Sequence, residues 1–201
     1  DVIVNKSSED RTFSFKKYMQ DYKVDASFIK SHLDDKQLRL YSLMYIVDRG
    51  KKEDYEVFQK ILLNGNAPME ERILAVKATM LWATEVAKKE AYLFILQKAN
   101  EVVVAAAIII FENVKSDEIR EELCRVSKKS QSQITRSNAS YALTVYDTTQ
   151  VIPYLIQALS EEFLYEKLTG LDVLTGLMSL GTTALAKGLP LLQTKAEFDN
   201  R

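Results

Sequence analysis

The chain is poor in the residues that punctuate, cross-link or catalyse. It has one cysteine, three prolines, six glycines and one histidine in 201 residues. A single cysteine, Cys124, excludes an internal disulfide framework. It follows Leu123 on an apparent helix and reads as a buried thiol rather than a reactive one. The cysteine count fits a reducing compartment, cytoplasmic or cytoplasm-facing, and also allows an exported protein without disulfides. The scarcity of glycine and proline excludes a loop-rich or all-β protein, which needs many turns. With His32 as the sole histidine, a histidine-rich metal site is impossible. The sequence contains no Gly-rich phosphate loop, no Gly-x-Ser-x-Gly elbow and no His-Glu-x-x-His pair. No catalytic, metal or cofactor site is expected, and the chain reads as a non-enzyme. Lys and Arg number 27 against 28 Asp and Glu, so no global basic excess advertises nucleic acid or anionic lipid. The longest apolar run, Val102 to Phe111, is ten residues, too short for a membrane helix and suited to a buried one.

What is present is a repeat. Five segments superpose at a spacing of 31 to 33 residues. The anchor row is Arg39, Arg72, Val103, Arg136 and Lys167. Three residues later come small residues: Ser42, Ala75, Ala106, Ala139 and Gly170. Three further on stand Tyr45, Ala78, Ile109, Ala142 and Val173. A fixed period of this size marks a solenoid whose units bury their apolar faces against one another.

Residues 1–25 form a polar lead-in followed by Phe13, Phe15, Tyr18, Met19 and Tyr22, read as an N-terminal cap on the first repeat, with a disordered arm as the alternative. Residues 26–193 read as the repeat domain and 194–201 as a tail. The spacing predicts helix pairs at about 26–33 and 35–49, 52–63 and 68–84, 86–98 and 100–114, 116–128 and 131–147, and 149–159 and 161–179. A last helix over 182–193 has no partner after it. The chain also begins with Asp1 rather than Met, so a module of a longer chain is expected. Spacings of three and four put Ala75, Ala78, Thr79 and Trp82 on one stripe, and Ala139, Ala142, Leu143 and Tyr146 on another. The runs Val102–Val104 and Ile108–Ile110 look strand-like in isolation. The repeat register predicts helix there.

The segment Val151-Ile152-Pro153-Tyr154-Leu155-Ile156-Gln157-Ala158-Leu159, then Ser160-Glu161-Glu162, then Glu166-Lys167-Leu168-Thr169-Gly170, resembles a HEAT repeat: an apolar first helix with an early proline, an acidic turn, a basic residue and a small-residue-rich second helix. The resemblance covers residues 26–193. It implies an all-α, right-handed alpha-alpha superhelix of about five helix pairs plus terminal capping helices. The period is shorter than the ~40–47 residues usual for HEAT and armadillo units, and the third repeat has Val103 in place of the basic anchor.

Two sets of residues are candidates for function. Arg39, Arg72, Arg136 and Lys167 form either a basic ladder for an acidic peptide or phosphate backbone, or, as in proteins that look like this one, structural ties to acidic or carbonyl groups at the neighbouring turn. The solvent face of the second helices carries Tyr41, Met44, Leu74, Lys77, Leu81, Ile108 and Tyr141. The resemblance implies that these line a concave, partly apolar groove; tight curvature would bury them instead. The lysine doublets, such as Lys51-Lys52 and Lys128-Lys129, read as solvated surface. The acidic pairs Asp34-Asp35, Glu70-Glu71, Asp117-Glu118 and Glu161-Glu162 read as complements to helix dipoles.

The expected function is a non-catalytic scaffold that binds a protein, or another domain of its own longer chain, through the groove. The alternatives are a nucleic-acid-binding protein resembling the DNA-alkylation-repeat family, and an enzyme-accessory role like that of HEAT-like lyases or chaperones.

Overall fold

A computed structural model describes residues 26–146 and 148–155. The expectations for the lead-in, the rest of the fifth pair, the last helix and the tail lie outside the described residues, as does Lys167. Within them the protein is all-α. The helices are α1 (Ala26–Lys30), α2 (Arg39–Arg49), α3 (Tyr55–Leu63), α4 (Met69–Trp82), α5 (Glu85–Lys98), α6 (Glu101–Ile110), α7 (Asp117–Lys129) and α8 (Gln133–Leu143). Short 3-10 turns cover Lys52–Asp54 and Thr149–Val151. No strand occurs among the described residues.

Helix starts follow local chemistry. Ser116 accepts a hydrogen bond from the Ile119 amide at 3.2 Å and caps α7. Asn100 does the same for Val103 at 2.9 Å before α6, and Ser132 for Thr135 at 3.2 Å before α8. Each such cap contributes about 1 kcal/mol relative to alanine. On α7, Asp117 and Glu118 at the start and Lys128 and Lys129 at the end complement the helix dipole. The α6 run is rich in β-branched residues but helical, because Val103, Val104, Ala107 and Ile108 all bury there and tertiary burial outweighs propensity.

Some helices are shorter than their patterns predict. Asp35 opens a one-turn lead-in, its carboxylate accepting from the Gln37 amide at 2.9 Å, and regular helix begins only at Arg39. Helix α6 stops at Ile110, where Phe111 caps it and Val114 closes a turn onto the Phe111 carbonyl at 2.8 Å. Helix α8 stops at Leu143 instead of 147.

The chain divides into two compact units, at Thr84 and Glu85. In the first, α1 packs on α2, α3 packs on α4, and the second helices α2 and α4 lie against each other. Its core holds Ile29, Leu38, Leu43, Phe58, Ala75 and Val76; the Phe58 ring lies 5.8 Å from that of Trp82. In the second unit, α5 pairs with α6 and α7 with α8, while α5 packs on α7 and α6 on α8. Its core holds Tyr92, Ile95, Phe111, Ile119, Leu123 and Leu143, with the Tyr92 and Phe111 rings stacked at 5.0 Å. Each large apolar side chain so buried contributes about 1.5–3 kcal/mol. Within each unit, helices pack on neighbours in sequence order, with like helices side by side.

The third repeat corrects the expected register by one residue. Ser42, Ala75 and Ala139 are fully buried, as the small-residue row requires, but their counterpart is Ala107; Ala106 is half-buried. Val104 therefore stands at the anchor position, 32 residues after Arg72 and 32 before Arg136. The slip has a simple cause. Without a basic anchor, three alanines followed by three isoleucines look the same when shifted by one.

Candidate interaction face

In the first unit, α2 and α4 present equivalent positions to solvent. Met44 on α2 is 50% exposed and Leu81 on α4 is 60% exposed. Lys77 is exposed, and Tyr41 and Leu74 are half-buried beside them. In the second unit the register slip changes the face. Ile108 is buried, whereas Ile109 is 61% exposed. The predicted groove residue Ile108 is thus corrected to Ile109: in the shifted register position 108 matches the buried Val76 and Ser140, and position 109 matches Lys77 and Tyr141. Tyr141 on α8 is 46% exposed, and Val145 just beyond α8 is exposed too. Between them and α6, Asn138 donates from Nδ2 to the Ala105 carbonyl at 3.2 Å, tying the two second helices together.

A second exposed apolar pair went unnoticed in the sequence. Val102 and Ile134 sit one period apart in the first turns of α6 and α8, and both are exposed. The signal was their apolar character just ahead of the anchor position, where the first two repeats have Gln37 and Glu70.

The predicted ladder residues divide by environment. Arg39 donates from Nε to both Glu71 carboxylate oxygens at 3.0 Å and from Nη1 to the Leu33 carbonyl at 2.8 Å. Arg136 donates from Nη1 to the carbonyls of Ser130 at 2.9 Å and Gln131 at 3.4 Å. Both are engaged at turns, which is the structural use weighed for this row. Arg72 is buried, and its Nε has no hydrogen-bond partner. Glu71 is more than a dipole complement, because it joins equivalent second helices through Arg39.

Comparable ties recur in the second unit. Glu101 accepts from the Ser130 hydroxyl at 2.5 Å and the Gln131 amide at 3.1 Å. The Thr135 hydroxyl donates to the Glu101 carbonyl at 3.1 Å. Arg125 donates to the Leu96 carbonyl and to Glu122, each at 2.6 Å. Lys89 pairs with Glu118 at 3.0 Å. The backbone amide at the α7 N-terminus, the Ser116 hydroxyl and the Lys89 ammonium hold the Glu118 carboxyl at about 2. In the first unit, burial pushes the Asp54 carboxyl up, but Lys30 and the Lys51 amide outweigh it and hold the group below the usual carboxylate range.

Burial pushes the Cys124 thiol up, away from the thiolate that reactive cysteines need. A small polar cleft of about 130 Å³ lies among Leu96, Glu101, Arg125, Lys129 and Ser130. Among the described residues, no group of three or more His, Cys, Asp or Glu could hold a metal ion, and no helix is long and apolar enough to cross a membrane. No known protein family, curated protein or solved structure matches the chain.

Proposed function

We propose that the chain is a non-catalytic HEAT-like scaffold that binds another protein, or another domain of a longer chain, through the solvent face of its second helices. The observation that carries this reading is the exposure of large apolar side chains on the outer faces of adjacent second helices, at matched positions in the case of Ile109 and Tyr141. Met44 and Leu81 stand on α2 and α4; Ile109 and Tyr141 stand on α6 and α8. Scattered exposed apolar residues are ordinary, but clusters on a rigid surface mark interaction sites, and aromatic residues and methionine are enriched there. The hydrogen bonds between second helices, Arg39 to Glu71 in the first unit and Asn138 to Ala105 in the second, keep the face within each unit preorganised, which lowers the entropic cost of binding.

The test pairs Leu81→Arg and Tyr141→Arg with Leu63→Arg, an exposed position on the first helix α3. All three variants should keep the helical circular dichroism of the parent. The first two should each weaken capture of a bound protein at least about tenfold, the cost of a truncated contact worth ~1.4 kcal/mol. Leu63→Arg should leave capture unchanged. Equal capture by all three folded variants would remove the face assignment.

A further inference from the structure

We propose that Arg72, behind the N-terminal turn of α4, forms a socket for a carboxylate. Two residues at the same position in their repeats define its geometry. Helical side chains lean toward the N-terminus of their own helix. Accordingly, Arg39 reaches the Leu33 carbonyl at 2.8 Å and Arg136 the Ser130 carbonyl at 2.9 Å, each six residues upstream, in the turn before its helix. Arg72 occupies the matching place on α4, a helix of 14 residues, and the same lean would carry its guanidinium toward the turn 64–67.

There the resemblance between the three arginines ends. Arg72 is 4% exposed, its Nε has no hydrogen-bond partner, and among the described residues no ion pair reaches it. A guanidinium cannot lose its charge at ordinary pH, so burying it without a counter-charge is unfavourable. The turn does not supply the missing acceptor. It closes on itself, with the Asn66 amide on Asn64 Oδ1 and the Ala67 amide on the Asn64 carbonyl, both at 3.0 Å. The residue before α4 is Pro68, which offers no side-chain cap to the first amides of the helix. These amides and the buried guanidinium together favour an anion. Glu71 is already paired with Arg39, which leaves the exposed Glu70 as the acidic side chain on this turn that opposes one. The turn itself is exposed at Asn64, Gly65, Asn66 and Pro68, and a Cβ added at Gly65 would meet nothing within 4 Å.

The class of anion follows from the molecule's own precedent. Arg39 Nε shares its one N–H between both oxygens of a carboxylate at 3.0 Å, a three-centre, charge-assisted bond. An acidic side chain presented by a partner would fit the same way at Arg72. The socket stands apart from the apolar face and does not depend on it.

The experiment follows the arginine Nε–H resonances of the full chain by NMR. Acetate is titrated against chloride at constant ionic strength, with inorganic phosphate as a second arm. Arg72→Lys identifies the Arg72 signal by its loss. The expected result is a saturable shift of the Arg72 signal in acetate while the Arg39 signal, already paired, stays still. A motionless Arg72 signal, or one drifting linearly with that of Arg39, overturns the socket. Saturation by phosphate without any response to acetate overturns the carboxylate assignment.

Discussion

Gly50, just past the end of α2, is constrained by space. Its φ of -74° is open to any residue. An added Cβ, however, would collide with the Ile46 carbonyl and stand 2.9 Å from both Asp54 Oδ2 and Ile46 Cγ2. The backbone is held there by the Gly50 amide donating to the Ile46 carbonyl at 2.7 Å. Gly50→Ala should therefore lower stability by about 1–3 kcal/mol, the usual cost of overpacking. Urea denaturation checks this: the midpoint should fall with the slope unchanged. An unshifted midpoint would mean that the turn relaxes freely. Little of this is legible in the sequence, where Gly50 is simply the residue after the helix expected at 35–49. The role of Glu71 is equally hidden. It looks like one more acid in a first helical turn, and its bond to Arg39 depends on which face of α4 meets α2. Ile108 and Ile109 differ only by one step of rotation, which the run of three isoleucines cannot fix.

Between elements, the short α1 is tied to the next helix pair by one charge. Lys30, in its last residue, pairs with Asp54, which is 6% exposed and also accepts from the Lys51 amide at 2.9 Å. Because the folded-state pKa of Asp54 is lowered, the stability it contributes is fully present above the unfolded value near 4. It is lost as pH falls through the folded value. Asp54→Asn should destabilise the protein at pH 7 and flatten the part of the stability–pH curve below about pH 4, as read by thermal melts across pH 2–7. A variant curve parallel to the parent's would contradict the assignment. At this scale the sequence was more informative. Periodicity located every described helix, and Ser116, Asn100 and Ser132 sit where caps belong. The ends were harder. The apolar pattern runs on through Phe111 and Val114, yet these side chains reach the core from a turn, and burial rather than helical geometry explains their spacing.

Across the whole molecule, nearly balanced charge and scarce glycine and proline leave apolar burial as the organising force. Each described pair of second helices is joined by polar bonds spanning about one repeat: Arg39 to Glu71 and Asn138 to Ala105. Such ties are local in sequence, which favours rapid folding and nearest-neighbour energetics. The all-α class was legible because five segments repeat the same small-residue spacing. The exposed face was legible only in part, since it inherits any error of register. Met44, Leu81 and Tyr141 were identified from their spacing, whereas Ile109 emerged only from burial.

Thiol labelling at two adjacent positions tests the register, and with it the face, most directly. In a Cys124→Ser background, Ile108→Cys and Ile109→Cys are exposed in turn to a maleimide under native conditions. Ile109→Cys should react at nearly the rate of a free thiol, and Ile108→Cys at least about 100-fold more slowly, because its labelling must wait for local opening. Fast labelling at 108 with protection at 109 would contradict the account.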